Sequence, residues 1–321
     1  MTNALPIVDI SAFLNNGSLE EKRKTAKSLH DACVQFGFLY LKGHGLSIEE
    51  MAEIRTLSKE FFDLPEEEKQ AISISKNDLA RGYQKLGQNI TLYAQDWHEG
   101  VDLYAPVDDD HIIKKRGLKT LAGKNPQPPR PPNFSKIVDE YVLKMRKIGM
   151  ATMSAMAMGL GLDERYFDKY MENSFWVMRL IGYPPLKKVD NVGISCGEHT
   201  DYGCLTILNT DETTGALQVL SKSGEWITAD PIPGHFVINI GDMVNNWTND
   251  LYKSTLHRVI HTKTNYRVSV PFFFEPNFDA VIEPLPICVE QTGGKPKYEP
   301  IMYGDHLLSK VTNNFDVSDG K

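Results

Sequence analysis

Tyr266-Arg267-Val268-Ser269-Val270-Pro271-Phe272-Phe273-Phe274 is a run of β-branched and aromatic residues interrupted by one arginine, one serine and one proline. Its composition suits a pleated, half-buried surface. Successive side chains on a strand leave opposite faces, so Arg267 and Ser269 share a face. Similar short runs lie upstream at 176–183, 205–209, 216–220, 225–228, 236–240 and 257–262, with Lys222-Ser223-Gly224 and Pro233-Gly234 as turns between them. Clustered short strands of this kind predict a β-sandwich or barrel.

Ahead of residue 175 the pattern is mainly helical. Residues 6–10 read as a brief strand, and Ser18 as the N-cap of a helix running to about Phe36, where Gly37 ends it. A strand at 38–42, closed by Gly43-His44-Gly45, precedes a helix at 48–62 that Leu64-Pro65 stops. A proline-rich connector at 126–132 leads into a helix at 135–162, where Met145, Met150, Met153, Met156 and Met158 recur at helical spacing and read as a core face. The class is therefore α+β, helices first and strands later, in one compact domain.

The 321 residues carry a formal net charge of -7 and 41% hydrophobic side chains, a balance that favours neither phosphate backbones nor anionic lipid. The expected partner is a small molecule, not nucleic acid or membrane, and the expected state is a monomer. The N-terminus shows no targeting signal and no stretch is apolar enough to span a bilayer, so the location is read as cytoplasmic, with the nucleus left open. Cys33, Cys196, Cys204 and Cys288 are widely spaced without a CxxC and read as free, buried or half-buried thiols. Cys196 and Cys204, near the histidine motif described next, are candidates for oxidation.

In Glu198-His199-Thr200-Asp201-Tyr202-Gly203, His199 and Asp201 are two apart and present a nitrogen and a carboxylate oxygen on one side of an extended chain. Gly203 permits a turn or a close approach by another element. His257, in the run Ser254-Thr255-Leu256-His257-Arg258-Val259, can supply a second imidazole. His261 competes with it from the same face, about 13 Å along the strand, and only one of the two can reach a shared metal. Two imidazoles and one carboxylate leave an open face of the kind used by non-haem Fe(II) oxygenases, although the same donors also suit a zinc hydrolase. His235, His44, His98 and His306 read as turn or surface histidines.

Arg267 and Ser269 form a receptor for a carboxylate, because an inward arginine in an apolar barrel requires an anion. A hairpin through the odd loop 262–264 would set His257 opposite Ser269 and Val259 opposite Arg267, placing the arginine about 7 Å along the sheet from the metal.

These residues carry a resemblance: the chain is similar to the isopenicillin N synthase-like branch of the Fe(II)/2-oxoglutarate-dependent dioxygenases. The likeness runs through Pro6-Ile7-Val8-Asp9-Ile10, Phe36-Gly37-Phe38, Gly43-His44-Gly45, Phe61-Phe62-Asp63-Leu64-Pro65, Arg81-Gly82-Tyr83, the histidine motif and Arg267-Val268-Ser269. It implies a double-stranded β-helix, or jelly roll, at 174–280, flanked by helices and preceded by an N-terminal helix and strand region at 5–120. It implies iron on His199, Asp201 and His257, with Arg267 and Ser269 gripping 2-oxoglutarate and Tyr183 lying against it. The implied reaction consumes O2 and 2-oxoglutarate, releases succinate and CO2 and hydroxylates a small molecule, with ascorbate as an auxiliary reductant. Ile181 stands where many relatives carry asparagine. That residue keeps open an isopenicillin N synthase-like oxidase needing no 2-oxoglutarate; a non-catalytic binding protein on the same scaffold is the other alternative. The resemblance bounds the substrate pocket by Arg81-Gly82-Tyr83, the segment 96–102, Phe272, Phe274 and the chain near Tyr303. Asp96, Glu99 and Asp102 read as a solvated loop face, the alternative being contact with a polar or cationic group, and the polar tail after Asn313 reads as a fraying end.

Overall fold

The computed structural model describes residues 4–74, 80–91, 94–185 and 195–311. The tail after Asn313 lies outside the described residues.

The helix signals act as read. Ser18 caps α1 (Leu19–Gln35): its hydroxyl accepts the Glu21 N–H at 3.3 Å while the Glu21 carboxylate accepts the Ser18 N–H at 2.7 Å. Ser47 and Glu50 repeat this box at α2 (Ile48–Phe62). Gly37 ends α1 with φ +68°, and a Cβ there would stand 2.2 Å from the Lys253 carbonyl oxygen, so the position requires glycine. The long helix α3 (Phe134–Gly159) buries Met145, Met153 and Met156 and half-buries Met150 and Met158, the expected core face.

Two sheets face each other. The larger contains β1 (Ile7–Asp9), β2 (Phe38–Lys42), β3 (Gly82–Gln84), β4 (Glu99–Tyr104), β5 (Val177–Tyr183), β7 (Leu205–Thr210), β10 (Phe236–Ile240) and β12 (Arg267–Phe274). The smaller contains β6 (Cys196–His199), β8 (Leu217–Leu220), β9 (Trp226–Thr228) and β11 (His257–Val259). Their orders are β1-β2-β10-β7-β12-β5-β4-β3 and β9-β8-β11-β6. Only β1 and β2 pair in parallel; the other neighbours are antiparallel. This is the arrangement of a jelly roll.

Period-two alternation sorts the side chains of the large sheet between two environments. Phe236, Ile238 and Ile240 of β10, and Val268, Val270, Phe272 and Phe274 of β12, join Ile54, Phe61, Met145 and Ile148 in the core beneath the helices. Phe38 and Tyr40 of β2, Ile181 and Tyr183 of β5, and Val237 of β10 face inward, where they meet Leu217, Val219 and Val259 of the small sheet. Arg267, Ser269, Pro271 and Phe273 have this inward parity too.

Two expectations are corrected. The 257–262 run is a strand only over β11, and β11 and β12 do not form a hairpin: β11 pairs with β8 and β6, whereas β12 pairs with β7 and β5. The chain between them passes from the small sheet to the large one, so His257 and Arg267 face each other across the barrel. Secondly, 96–102 is no solvated loop. Glu99 to Tyr104 form a fully buried strand whose acidic residues have partners. Glu99 accepts bonds from Lys69 Nζ and the hydroxyls of Tyr83 and Tyr266, each at 2.7 Å, and Asp96 accepts the Gly197 N–H at 2.9 Å. Charged residues hid this strand from a hydrophobic pattern. Among the described residues, no helix is long and apolar enough to cross a membrane.

At Gly149 α3 lies close against β12, since a Cβ there would lie 2.5 Å from Phe274 Cγ. Urea denaturation of Gly149→Ala should show a loss of about 1–3 kcal/mol from overpacking. Leu143→Ala on the exposed side of α3, where Leu143 is 65% exposed, should stay within about 0.5 kcal/mol of the parent.

Candidate active site

His199 ends β6, Asp201 follows in the turn leading to β7, and His257 opens β11, directly opposite His199 in register. Each offers one ligand atom, and the three atoms lie within 4.8 Å of one another. Asp201 Oδ1 is 3.7 Å from His199 Nε2 and 3.7 Å from His257 Nε2.

The remaining atoms of the triad are engaged elsewhere, which aims these three at a common point. His199 Nδ1 lies 2.7 Å from the Gly197 carbonyl oxygen and His257 Nδ1 3.1 Å from that of Thr255. A carbonyl only accepts, so both imidazoles carry a proton on Nδ1 and turn Nε2 toward the shared point. Burial lowers the His199 pKa, but Cys196, Asp201 and the Gly197 carbonyl raise it to about 10, so a bound cation would displace a proton from its Nε2. Asp201 Oδ2 accepts bonds from Thr206 Oγ1 and, at 2.7 Å, from Asn239 Nδ2, leaving Oδ1 for a cation. Burial alone would raise the Asp201 carboxyl, but His257, His199 and these two donors bring it below its usual range. Burial and the neighbouring His199 hold His257 down at about 4, so it is neutral at physiological pH. The donor set fits a divalent cation with an open coordination face, Fe(II) among them.

Behind the triad, a cavity between the sheets is lined by Arg267, Ser269 and Tyr183 together with Phe38, Ile181 and Val259. Arg267 is 1% exposed. Its Nη2 donates to Thr210 Oγ1 at 3.0 Å, its guanidinium carbon lies 4.8 Å from the centre of the Tyr183 ring, and Nε and Nη1 have no hydrogen-bond partner among the described residues. Ile181 is opposite Ser269 in register and gives this wall an apolar side chain.

A second, more open cavity adjoins the triad and shares His199, Asp201, Arg179 and Phe273 with the first. Asp102 enters it, accepting from Arg179 Nε at 2.6 Å and Gln84 Nε2 at 2.7 Å. Glu275 enters it too, 3% exposed and accepting the Cys204 N–H at 3.1 Å. Burial, then the Asp201 charge, push the Glu275 carboxyl up to about 8. Gly203 is explained by this carboxyl, because a Cβ there would stand 1.1 Å from Glu275 Oε2.

The expected pocket walls need correction. Phe272 and Phe274 face the helices, and Phe273, of opposite parity, lines both cavities. Arg81 is a structural clasp that donates to the carbonyls of Tyr104, Ala105 and Leu121 and to Asn125 Oδ1. Tyr303 is buried, and Leu307 and Val311 of α4 (Tyr303–Val311) reach the second cavity instead. His261 is not near the triad: it is fully buried, with Nε2 2.6 Å from the Asn265 carbonyl oxygen. His44 and His98, expected at the surface, are buried against the carbonyls of Gly234 and Ser195. His306 is half-buried near Asp242, and His235 is a turn residue as read. All four cysteines are free; Cys196 is half-buried, whereas Cys204 is fully buried with its thiol pKa raised by desolvation, which makes it unreactive.

Asn239, Arg179 and Glu275 were not picked out as site residues, whereas Asp102 lay in the segment 96–102 expected to bound the pocket. Asn239 in Phe-Val-Ile-Asn-Ile and Arg179 in Val-Met-Arg-Leu-Ile carry the same signal as Arg267, a polar group in an apolar strand that must find a partner.

Replacing Asn239 with leucine removes one of the two donors to Asp201 Oδ2. An anaerobic competition titration against a chelator should show Fe(II) affinity lowered about 10- to 100-fold, with the thermal unfolding profile still cooperative.

Residues 170–276 match the family described as the 2OG-Fe(II) oxygenase superfamily, and residues 5–128 match the non-haem dioxygenase in morphine synthesis N-terminal family. The chain is 42% identical to Homoarginine-6-hydroxylase 2-ODD-233 of Oryza sativa subsp. japonica, over 97% of this chain and 98% of that protein. It is 34% identical to the 2-oxoglutarate-Fe(II) type oxidoreductase hxnY of Emericella nidulans, over 97% and 90%. The solved structure of a full-length Neurospora crassa protein in complex with alpha-KG and thymine superposes with a TM-score of 0.84 at 29% identity, covering 96% of each chain. Together with the His-Asp-His cluster in a jelly roll, these likenesses show that the chain belongs to the 2-oxoglutarate- and Fe(II)-dependent oxygenase superfamily and is a hydroxylating dioxygenase.

Proposed function

We propose that His199, Asp201 and His257 hold the catalytic Fe(II), that Arg267 and Ser269 hold the distal carboxylate of 2-oxoglutarate beside Tyr183, and that the second cavity receives a small-molecule substrate. The observation that carries this reading is Arg267, a buried guanidinium with two nitrogens lacking partners, in the same cavity as the triad. A buried cation without an anion is costly, and a bound carboxylate removes that cost.

When bound, iron activates O2 and chelates 2-oxoglutarate. The chain's own residues do the rest. His199 and His257 are locked in the tautomer that ligates, Asp201 is oriented by Asn239 and Thr206, and Arg267 fixes the co-substrate's far end by charge-assisted bonds. Phe38, Ile181, Leu208, Leu217 and Val259 line the inner cavity with apolar surface that excludes water. The balanced reaction takes substrate, O2 and 2-oxoglutarate to hydroxylated substrate, succinate and CO2, one atom of O2 entering succinate and the other the new hydroxyl.

The relatives named homoarginine-6-hydroxylases support an amino acid as the substrate class. We read the chain as one enzyme domain, with 174–280 as the iron core and 5–120 completing it, because β2 from the N-terminal part lies inside the large sheet beside β10. Free thiols, three of them buried, favour a reducing compartment such as the cytoplasm.

Succinate release measured against 2-oxoglutarate concentration tests the anchor. Arg267→Gln should raise the KM for 2-oxoglutarate about 100-fold while turnover persists at saturation, and His199→Ala should abolish succinate release. An unchanged KM in Arg267→Gln would remove Arg267 from the co-substrate site.

A further inference from the structure

The second cavity contains a carboxyl group without a counter-charge. Of its acidic residues, Asp201 is turned toward the two histidines, and Asp102 is matched by Arg179 and Gln84. Glu275 is different. It is 3% exposed, Oε2 accepts the backbone N–H of Cys204, and the neighbouring Tyr303 hydroxyl brings no charge. No lysine or arginine forms an ion pair with it among the described residues. A carboxylate this deeply buried normally has a cationic partner. Gly203 leaves the space that the carboxyl occupies, since a Cβ there would stand 1.1 Å from Oε2.

We propose that Glu275 is the specificity-determining residue of the substrate cavity and docks a guanidinium or ammonium group of the substrate; this rests on the reading of that cavity as the substrate site. Three observations converge. The Cys204 N–H holds Oε2 and the Tyr303 hydroxyl lies beside the carboxyl, whose two oxygens still have acceptor lone pairs for a ligand. Tyr104, Tyr202 and Phe273 line the same cavity, and aromatic faces attract cations. The cavity also reaches His199 and Asp201, so a substrate anchored at Glu275 lies against the metal ligands. A cation docked here would draw the Glu275 carboxyl back into its ionised form. Glu275 thereby complements Arg267: the inner cavity has a cation awaiting an anion, and the outer cavity an acid awaiting a cation. The two groups sort co-substrate from substrate, because each suits one sign of ligand.

The test is isothermal titration of the anaerobic Fe(II)- and 2-oxoglutarate-loaded enzyme with L-homoarginine and with L-homocitrulline, which replaces the guanidinium by an uncharged urea on the same chain. The parent protein should bind homoarginine about 10- to 100-fold more tightly. Glu275→Gln keeps an oxygen for the Cys204 N–H and should bring the two ligands within about threefold of each other. Glu275→Asp, which keeps the charge, should retain a preference for homoarginine and guards against a Gln variant that fails to fold. Equal binding of the two ligands by the parent, binding of neither, or a preference that survives in Glu275→Gln would overturn the inference. A parent enzyme that releases no succinate from 2-oxoglutarate would instead overturn the reading of the site on which it rests.

Discussion

The Asp201 carboxylate joins the two sheets at the point where chemistry is done. Its Oδ2 is held by Thr206 and Asn239, which belong to adjacent strands of the large sheet, while Oδ1 faces His199 and His257 on adjacent strands of the small one. Three ligand atoms can converge only if both sheets keep their register and their separation. A one-residue slip of β10 would turn Asn239 outward toward the helices and bring an isoleucine in behind the carboxylate. The helices packed against the outer face of β10, β7 and β12 thus serve the site by fixing which side chains point inward.

The same alternation explains how a barrel interior that is mostly apolar accommodates fixed charges. Arg267 and Arg179 come inward from antiparallel neighbours, β12 and β5, Arg267 fully buried and Arg179 half-buried. Their surroundings differ. Arg179 has a carboxylate partner on the next strand, Asp102 of β4, and is thereby part of the wall. Among the described residues Arg267 has a threonine hydroxyl and an aromatic face but no carboxylate, which leaves its charge open to the proposed co-substrate. Pairing on one strand and its lack on the next separate a structural arginine from a binding one, although both occur in similar apolar sequence.

Much of this was legible in the residues. The period of two in 236–240 and 266–274, the capping boxes at Ser18 and Ser47, and the HxD spacing each encode local geometry that tertiary contacts then preserve. The anchoring strand was also legible, because an arginine between apolar neighbours must meet an anion. What was hidden depends on which strands meet. The hairpin expected between β11 and β12 rested on loop length, but the chain crosses between sheets there, and nothing local distinguishes a crossing from a turn. Phe272 and Phe274 were assigned to the pocket against the parity that Arg267 and Ser269 already implied, and Phe273 was the residue that parity selects. The strand β4 was missed because its acidic residues find their partners, Lys69 and Arg179, 30 and 77 positions away. Glu275 had no signal at all, since its meaning comes from Gly203, far off in sequence and in contact in space.

A single iron held by three named residues, with 2-oxoglutarate bound beside it, is the central claim. The most direct measurement is the visible charge-transfer absorption that develops when Fe(II) and 2-oxoglutarate are added to the protein without oxygen. The band should saturate at one iron and one 2-oxoglutarate per chain, survive in His261→Ala and be absent in His257→Ala. A band that persists in His257→Ala, or that disappears in His261→Ala while the protein remains folded, would contradict it.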